Sequence, residues 1–228
     1  MKNMRTIIAA CFITLLLSAG IASAYPTLQL YIDPSQPGVS WDSSTETWVA
    51  SSNTFTLSAL SEGTLSGVRL SIALTDGVSP SSGTVSINGS GISSSNYMYG
   101  IPPISALNPD GGGGDLAPHD IFPTYFAEYI FDFTPANAAD IFDTQPGAAA
   151  GTKSGYWKDF YIDISGFNFV HFDLYTLKNT KHAPDVIDKF APFSHDAEYN
   201  PPIPEPGTMV LLGISLLAAA GYMRRMGK

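Results

Sequence analysis

Apolar residues recurring at every second position constrain this chain more than any other feature. Val68, Leu70, Ile72 and Leu74 alternate with Arg69, Ser71 and Ala73. Successive side chains of a strand point to opposite faces, so this spacing is that of a sheet with one buried side. Leu28, Leu30 and Ile32, then Phe55, Leu57 and Ala59, then Val85 and Ile87 repeat the pattern. The second half is richer in aromatics. Tyr125, Tyr129, Phe131 and Phe133 share one parity, Phe160, Ile162 and Ile164 oppose Asp159, Tyr161 and Asp163, and Val170, Phe172 and Leu174 oppose His171, Asp173 and Tyr175. Each run is bounded by Gly, Pro, Asn or Asp, the residues that punctuate strands. About eight such runs without a sustained helical period predict an all-β fold, an antiparallel β-sandwich with the jelly roll as its natural variant.

Three stretches interrupt this rhythm. Residues 75–124 are turn-rich and contain Asp110-Gly111-Gly112-Gly113-Gly114-Asp115, which lacks the lysine and following helix of a phosphate loop and reads as a flexible surface loop. Ala136 to Phe142 has the composition for one or two helical turns, and an Ala/Gly-rich stretch follows it. Residues 197–206 read as a Pro-rich tether. No internal repeat is visible.

The two ends carry export signals. Lys2 and Arg5 precede an apolar core from Ile7 to Leu17, and Ala22-Ser23-Ala24 is a small-residue cleavage box, so residues 1–24 read as a signal peptide cut after Ala24. At the other end, Pro204-Glu205-Pro206 precedes an apolar run from Gly207 to Tyr222, then Arg224, Arg225 and Lys228. Sixteen helical residues from 207 to 222 span about 24 Å, short of the ~30 Å hydrocarbon core. Snorkelling arginines or a thinner membrane absorb the difference, and the basic cluster holds the C-terminus in the cytoplasm. Residues 207–228 therefore read as a single transmembrane sorting helix with a basic stop, and residues 25–196 as the ectodomain.

The order of these C-terminal features, from Ile203 to Lys228, resembles the PEP-CTERM sorting signal recognised by exosortase systems. The resemblance implies a Gram-negative-type envelope, an inner-membrane intermediate, cleavage by an exosortase-type membrane protease near Pro204, Glu205, Pro206 and Gly207, and delivery to the cell surface or extracellular matrix. It also implies a setting in which exopolysaccharide is made, so exopolysaccharide is a candidate partner. The ectodomain is similar to the choice-of-anchor N family in Tyr25-Pro26-Thr27-Leu28-Gln29-Leu30, Glu46-Thr47-Trp48, Pro118-His119-Asp120-Ile121-Phe122-Pro123-Thr124, Val170-His171-Phe172-Asp173 and Ala191-Pro192-Phe193-Ser194-His195-Asp196-Ala197. That likeness implies a surface domain with no established enzymatic role.

Charge narrows the partners. The chain has 11 basic and 20 acidic residues. Five of the basic residues and none of the acids lie in residues 1–24 and 207–228, leaving six against 20, a net charge of −14. A nucleic-acid binder needs the opposite sign. The one cysteine, Cys11, sits in the signal peptide, so the mature domain must hold together by packing rather than by disulfides.

Candidate sites follow from residue chemistry. His119-Asp120, His195-Asp196 and His171 with Asp173 offer donors for a divalent transition metal. No helical zinc motif accompanies them, and the simpler expectation is that each Asp caps a turn and each His packs beneath Phe or Pro. Calcium is the better metal expectation. It takes oxygen ligands from carboxylates and loop carbonyls, and Asp110, Asp115 and Asp120 are spaced along one loop. Trp41, Trp48, Tyr97, Tyr99, Tyr156 and Trp157 could stack on sugar rings if exposed, or fill the core. No nucleophile elbow, no cysteine nucleophile and no telling pair of acids is present. The sequence therefore predicts a non-enzymatic exported surface or matrix protein without a required cofactor, with a carbohydrate-binding or calcium-dependent adhesion module as the alternative.

Overall fold

The computed structural model describes residues 26–108, 113–117, 120–148, 151–179 and 185–202. The signal peptide, Ala22 and Ala24 included, and the whole sorting tail lie outside the described residues. The strands are β1 (Leu28–Tyr31), β2 (Val39–Asp42), β3 (Thr47–Ala50), β4 (Thr54–Ser61), β5 (Leu65–Leu74), β6 (Thr84–Ile87), β7 (Ser90–Gly91), β8 (Met98–Gly100), β9 (Thr124–Phe133), β10 (Ala138–Ile141), β11 (Lys153–Ser165), β12 (Val170–Lys178), β13 (Val186–Phe190) and β14 (Ala197–Tyr199).

They form two sheets packed face to face. One runs β1-β4-β11-β6-β7 with β10 beside β11; the other runs β2-β3-β14-β12-β5-β9-β8 with β13 beside β12. The inner faces are the alternating sets read from the sequence. Leu70, Ile72 and Leu74 of β5 oppose Leu174, Phe172 and Val170 of β12, and Leu57 and Phe55 of β4 oppose Phe160 and Ile162 of β11. All of these side chains are buried in one core. Rings meet edge-on across it, as Phe55 does with Phe172 and Phe131 with Phe160, the geometry their quadrupoles favour.

Four features differ from the sequence reading. The second sheet is mixed rather than purely antiparallel, because β14 runs parallel to β3. The cause is topological. β13 and β14 follow one another along the same edge of β12 and both run antiparallel to it, and β3, beyond β14, runs in that same direction. Second, the sandwich does not stop at residue 196. Ala197 and Tyr199 point into the core and the Asn200 amide donates to the Ala50 carbonyl, so the first residues read as tether are a strand too short to show its own periodicity. Third, Ala136 to Phe142 is not helical beyond a 3₁₀ turn at Pro135–Asn137; β10 follows at once, antiparallel to β11.

The fourth difference positions the site. β12 is buried on both faces, with outward His171, Asp173 and Tyr175 as inaccessible as their inward neighbours. Outward Ser71 and Ala73 of β5 are buried too. The turn-rich insertion covers this face: the Ile104 amide donates to Glu128 Oε1 on β9 at 2.7 Å, and Leu116 is buried. Gly113 and Gly114 serve close approach rather than slack. A Cβ on Gly114 would collide with the Ile101 carbonyl, and Gly113 sits at φ +106, a region side chains disfavour.

Candidate functional site

Cross-strand neighbours share a face, so register alone lays out the covered surface. Glu128, Ser71 and Asp173 form one row across β9, β5 and β12. The next row holds Phe126, Ala73, His171 and Glu198, the last from β14. His171 and Asp173 stand side by side because two residues along a strand return to the same face. Asp196 arrives from outside the sheet. Between β13 and β14 the chain lifts off the edge of β12, makes a 3₁₀ turn at Phe193–His195, and is capped by Asp196 as it returns.

His171 Nε2 lies 3.4 Å from Asp173 Oδ1 and 3.7 Å from Asp196 Oδ2, and His171 Nδ1 lies 4.0 Å from Glu198 Oε2. His171 is 4 % exposed, Asp173 3 %, Asp196 1 % and Glu198 6 %. One imidazole thus stands among three buried carboxylates. Burial alone would push the imidazole pKa down, but Asp173 first, then Asp196 and Glu198, outweigh it and hold it well above the usual histidine range. Phe169 stacks on the ring, with centroids 6.5 Å apart and planes 15° from parallel.

Two small cavities flank the group. One of about 110 Å³ is lined by Leu116, Ala117, Asp173, Phe193 and Asp196 among others. The other, of about 80 Å³, is lined by Thr45, Thr47, Ile121, His171, Asp196 and Glu198, with Phe193 common to both. Among the described residues, His171, Asp173 and Asp196 are the set whose donor atoms fall within 4.8 Å of one another, close enough to share a metal ion.

The His195-Asp196 pair divides its work. His195 Nε2 is 2.9 Å from Asp143 Oδ1, and its Nδ1 is 2.9 Å from Ser194 Oγ. That ties the 3₁₀ turn to residues 142–145, which Gln29 and Trp48 also hold: the Thr144 amide donates to Gln29 Oε1, and Trp48 Nε1 donates to the Thr144 carbonyl. The expectation of a packed structural histidine describes His195. The expectation that Asp196 only caps a turn omits its place beside His171. His119 lies outside the described residues.

The loop acids are not among the grouped donors that the described residues show. Asp115 Oδ1 accepts the Ile187 amide at the start of β13, at 3.3 Å. Asp120 is exposed with φ 67, and Asp110 is outside the described residues. Of the aromatics, Trp48 and Tyr97 are buried, Trp41, Tyr156 and Trp157 are half-buried, and Tyr99 is exposed.

Glu198 escaped the sequence reading, although a signal for it existed. His171-Phe172-Asp173 and Asp196-Ala197-Glu198 are both polar pairs straddling one inward apolar residue. Pairing of Phe172 with Ala197 sets them next to each other.

The family model described as the PEP-CTERM protein-sorting motif matches residues 202–225. The chain carries a PEP-CTERM protein-sorting motif. Such a motif implies an exported protein that an exosortase processes and sorts to the cell surface. No curated protein and no solved structure matches the chain. The matched segment begins three residues after Tyr199, the last residue of β14, so the sorting signal follows the sandwich with almost no intervening linker.

Proposed function

We propose that this protein is a non-enzymatic component of the cell surface or extracellular matrix, a compact β-sandwich that an exosortase releases from an inner-membrane intermediate near Pro204, Glu205 and Pro206. The observation that carries this reading is the sorting motif placed directly behind the last core strand. The cavities beside His171 support a non-catalytic role. Small-molecule sites usually run to ~300–1,000 Å³, and about 80 and 110 Å³ leave room for an ion and water but not for a sugar. The likeness of the ectodomain to the choice-of-anchor N family agrees with this assignment. The test is replacement of Pro204, Glu205 and Pro206 by alanine in the native host. Wild type should lose Arg224, Arg225 and Lys228 and leave the membrane fraction, while the variant keeps them. Identical mass and fractionation of the two would leave only a simple anchor.

A second reading, recognition of exopolysaccharide, rests on the outward face of β11. Trp157, Asp159, Tyr161 and Asp163 alternate along it, Tyr161 is 53 % exposed, and Asp159 Oδ1 accepts from both Trp157 Nε1 and Ser58 Oγ at 2.6 Å. Aromatic planes beside fixed carboxylates suit stacking on sugar rings with hydroxyls hydrogen-bonded alongside. An open groove of about 600 Å³ at one end of the sandwich adds Ser51, Ser52, Asn53 and Asn168 as further polar partners. Tyr161→Ala with Trp157→Ala should abolish retention on the host's own polysaccharide; unchanged retention would remove this reading.

A further inference from the structure

We propose that His171, Asp173 and Asp196 bind one divalent transition-metal ion, zinc by the chemistry of the donors, and that this ion clamps the turn preceding β14 onto β12. The argument begins with spacing. Zinc binds imidazole nitrogen at ~2.0–2.1 Å and carboxylate oxygen at ~2.0–2.2 Å, so neighbouring donors of a tetrahedral site stand about 3.4 Å apart. The separations from His171 Nε2 are 3.4 and 3.7 Å. Charge-assisted N–H to O hydrogen bonds are shorter, about 2.7–2.9 Å. One nitrogen facing two carboxylate oxygens, all three donor atoms within 4.8 Å of one another, has the spacing of ligands around a shared ion.

Three further observations agree. The donors are buried and come from separate places, two from β12 and one from the cap after Phe193–His195, so an ion between them would reinforce the junction that the pairing of Phe172 with Ala197 already makes. Glu198 faces the other ring nitrogen, where metal-bound histidines commonly find a carboxylate that fixes their orientation. Imidazole as a donor favours zinc, and calcium, which takes oxygen ligands, is disfavoured. The cavity of about 80 Å³ against His171 and Asp196 holds a water or two at ~30 Å³ each, enough to complete a four-coordinate ion.

The clamp sits immediately ahead of the strand that leads into the sorting tail. A metal bound there would lock β14 into the sheet and fix where the folded domain ends. This is independent of whether the tail is cut.

The test uses the full-length chain in detergent, with zinc as the probe. Elemental analysis should find about one zinc per chain, as a single three-ligand site completed by water requires. A strong chelator should lower the melting midpoint by several degrees, and zinc or cobalt, but not calcium at equal ionic strength, should restore it. Cobalt should give the intense visible absorption of a tetrahedral site. Asp173→Asn and Asp196→Asn should each weaken zinc binding at least tenfold, while Asp115→Asn leaves it unchanged. Well under one zinc per chain together with a chelator-insensitive midpoint would mean an ion pair only and would overturn the proposal. So would wild-type zinc affinity in Asp196→Asn. Should the Asn variants fail to fold, the wild-type chelation and cobalt measurements decide alone.

Discussion

Glu128 and the His171 group lie under the same cover, on the same face of the same sheet, yet they are built on opposite plans. Glu128 is answered completely from within. Tyr175 Oη donates to Oε1 at 2.6 Å, the Ile104 amide donates to Oε1 at 2.7 Å, and Arg69 Nε donates to Oε2 at 3.0 Å. One carboxylate has three donors, one of them a cation. In the other group one imidazole stands among three carboxylates. The His171 group is buried and the Glu128 side chain is 9 % exposed, so both carry a desolvation cost. The difference shows how the fold answers an acid whose role is to pin the insertion down, whereas the second group brings an imidazole and two carboxylates within reach of one shared ion.

Substitution should separate the two plans by how they respond to metal. Glu128→Ala is expected to give the largest effect, a loss of about 3 kcal/mol, because it strands Arg69, the Tyr175 hydroxyl and the Ile104 amide; the value is at the lower end for a broken buried pair since Arg69 keeps partial access to water. The deficit in chemical denaturation should be the same with and without chelator. Asp196→Asn should behave differently. Its deficit against wild type, about 1–3 kcal/mol at a hundredfold excess of zinc over the wild-type dissociation constant for binding weakened at least tenfold, should shrink toward zero once chelator is present. An Asp196→Asn deficit that chelator does not change would make the two groups alike and erase the contrast.

Tyr175→Phe sharpens the Glu128 side and should cost about 1–3 kcal/mol for one hydrogen bond to a charged acceptor. It also has a pH signature. Burial first, then the Glu128 carboxylate, hold the Tyr175 phenol well above its ordinary value. The folded-state pKa is raised, so the contribution of the neutral phenol is fully present below the unfolded value near pH ~10 and is lost as pH rises through the folded value. Wild type should therefore lose stability on the alkaline side, and Tyr175→Phe should lose less over the same range. Tyr97, whose phenol burial also raises, leaves a residual slope in both. Equal alkaline slopes would show that Tyr175 is not the group responsible.

How much of this was legible in sequence depends on the face. The inner faces were, because Val68 to Leu74 and Phe160 to Ile164 needed only a period of two. The outer face of the second sheet was not. Arg69, Ser71, His171 and Asp173 look like solvent-facing residues by alternation, and what buries them is an insertion whose glycines and prolines read as slack. β14 is three residues long, too short for periodicity, and its parallel partner is set by the path around β12. The candidate site needed both facts. His171 and Asp173 could be placed on one face from spacing, but Asp196 and Glu198 join them only through the pairing of Phe172 with Ala197.

The smallest expected effect belongs to a third set of acids, Asp110 and Asp115 at the two ends of the glycine run and Asp120 beyond it, whose spacing along one loop suggests calcium. Asp115 already has a structural task, accepting the Ile187 amide. Asparagine keeps an oxygen at that position, so Asp115→Asn should stay within about ±0.5 kcal/mol of wild type and should leave zinc binding untouched. Asp120 is exposed, and its left-handed backbone is one that asparagine also tolerates. Calcium and magnesium at equal ionic strength should then shift the melting midpoint equally, through screening of a net-acidic surface. A shift seen with calcium but not magnesium, and lost in the combined Asp110→Asn and Asp115→Asn variant, would reverse that outcome. It would place a second cation site on the cover of the sandwich, with oxygen donors where the His171 group has an imidazole.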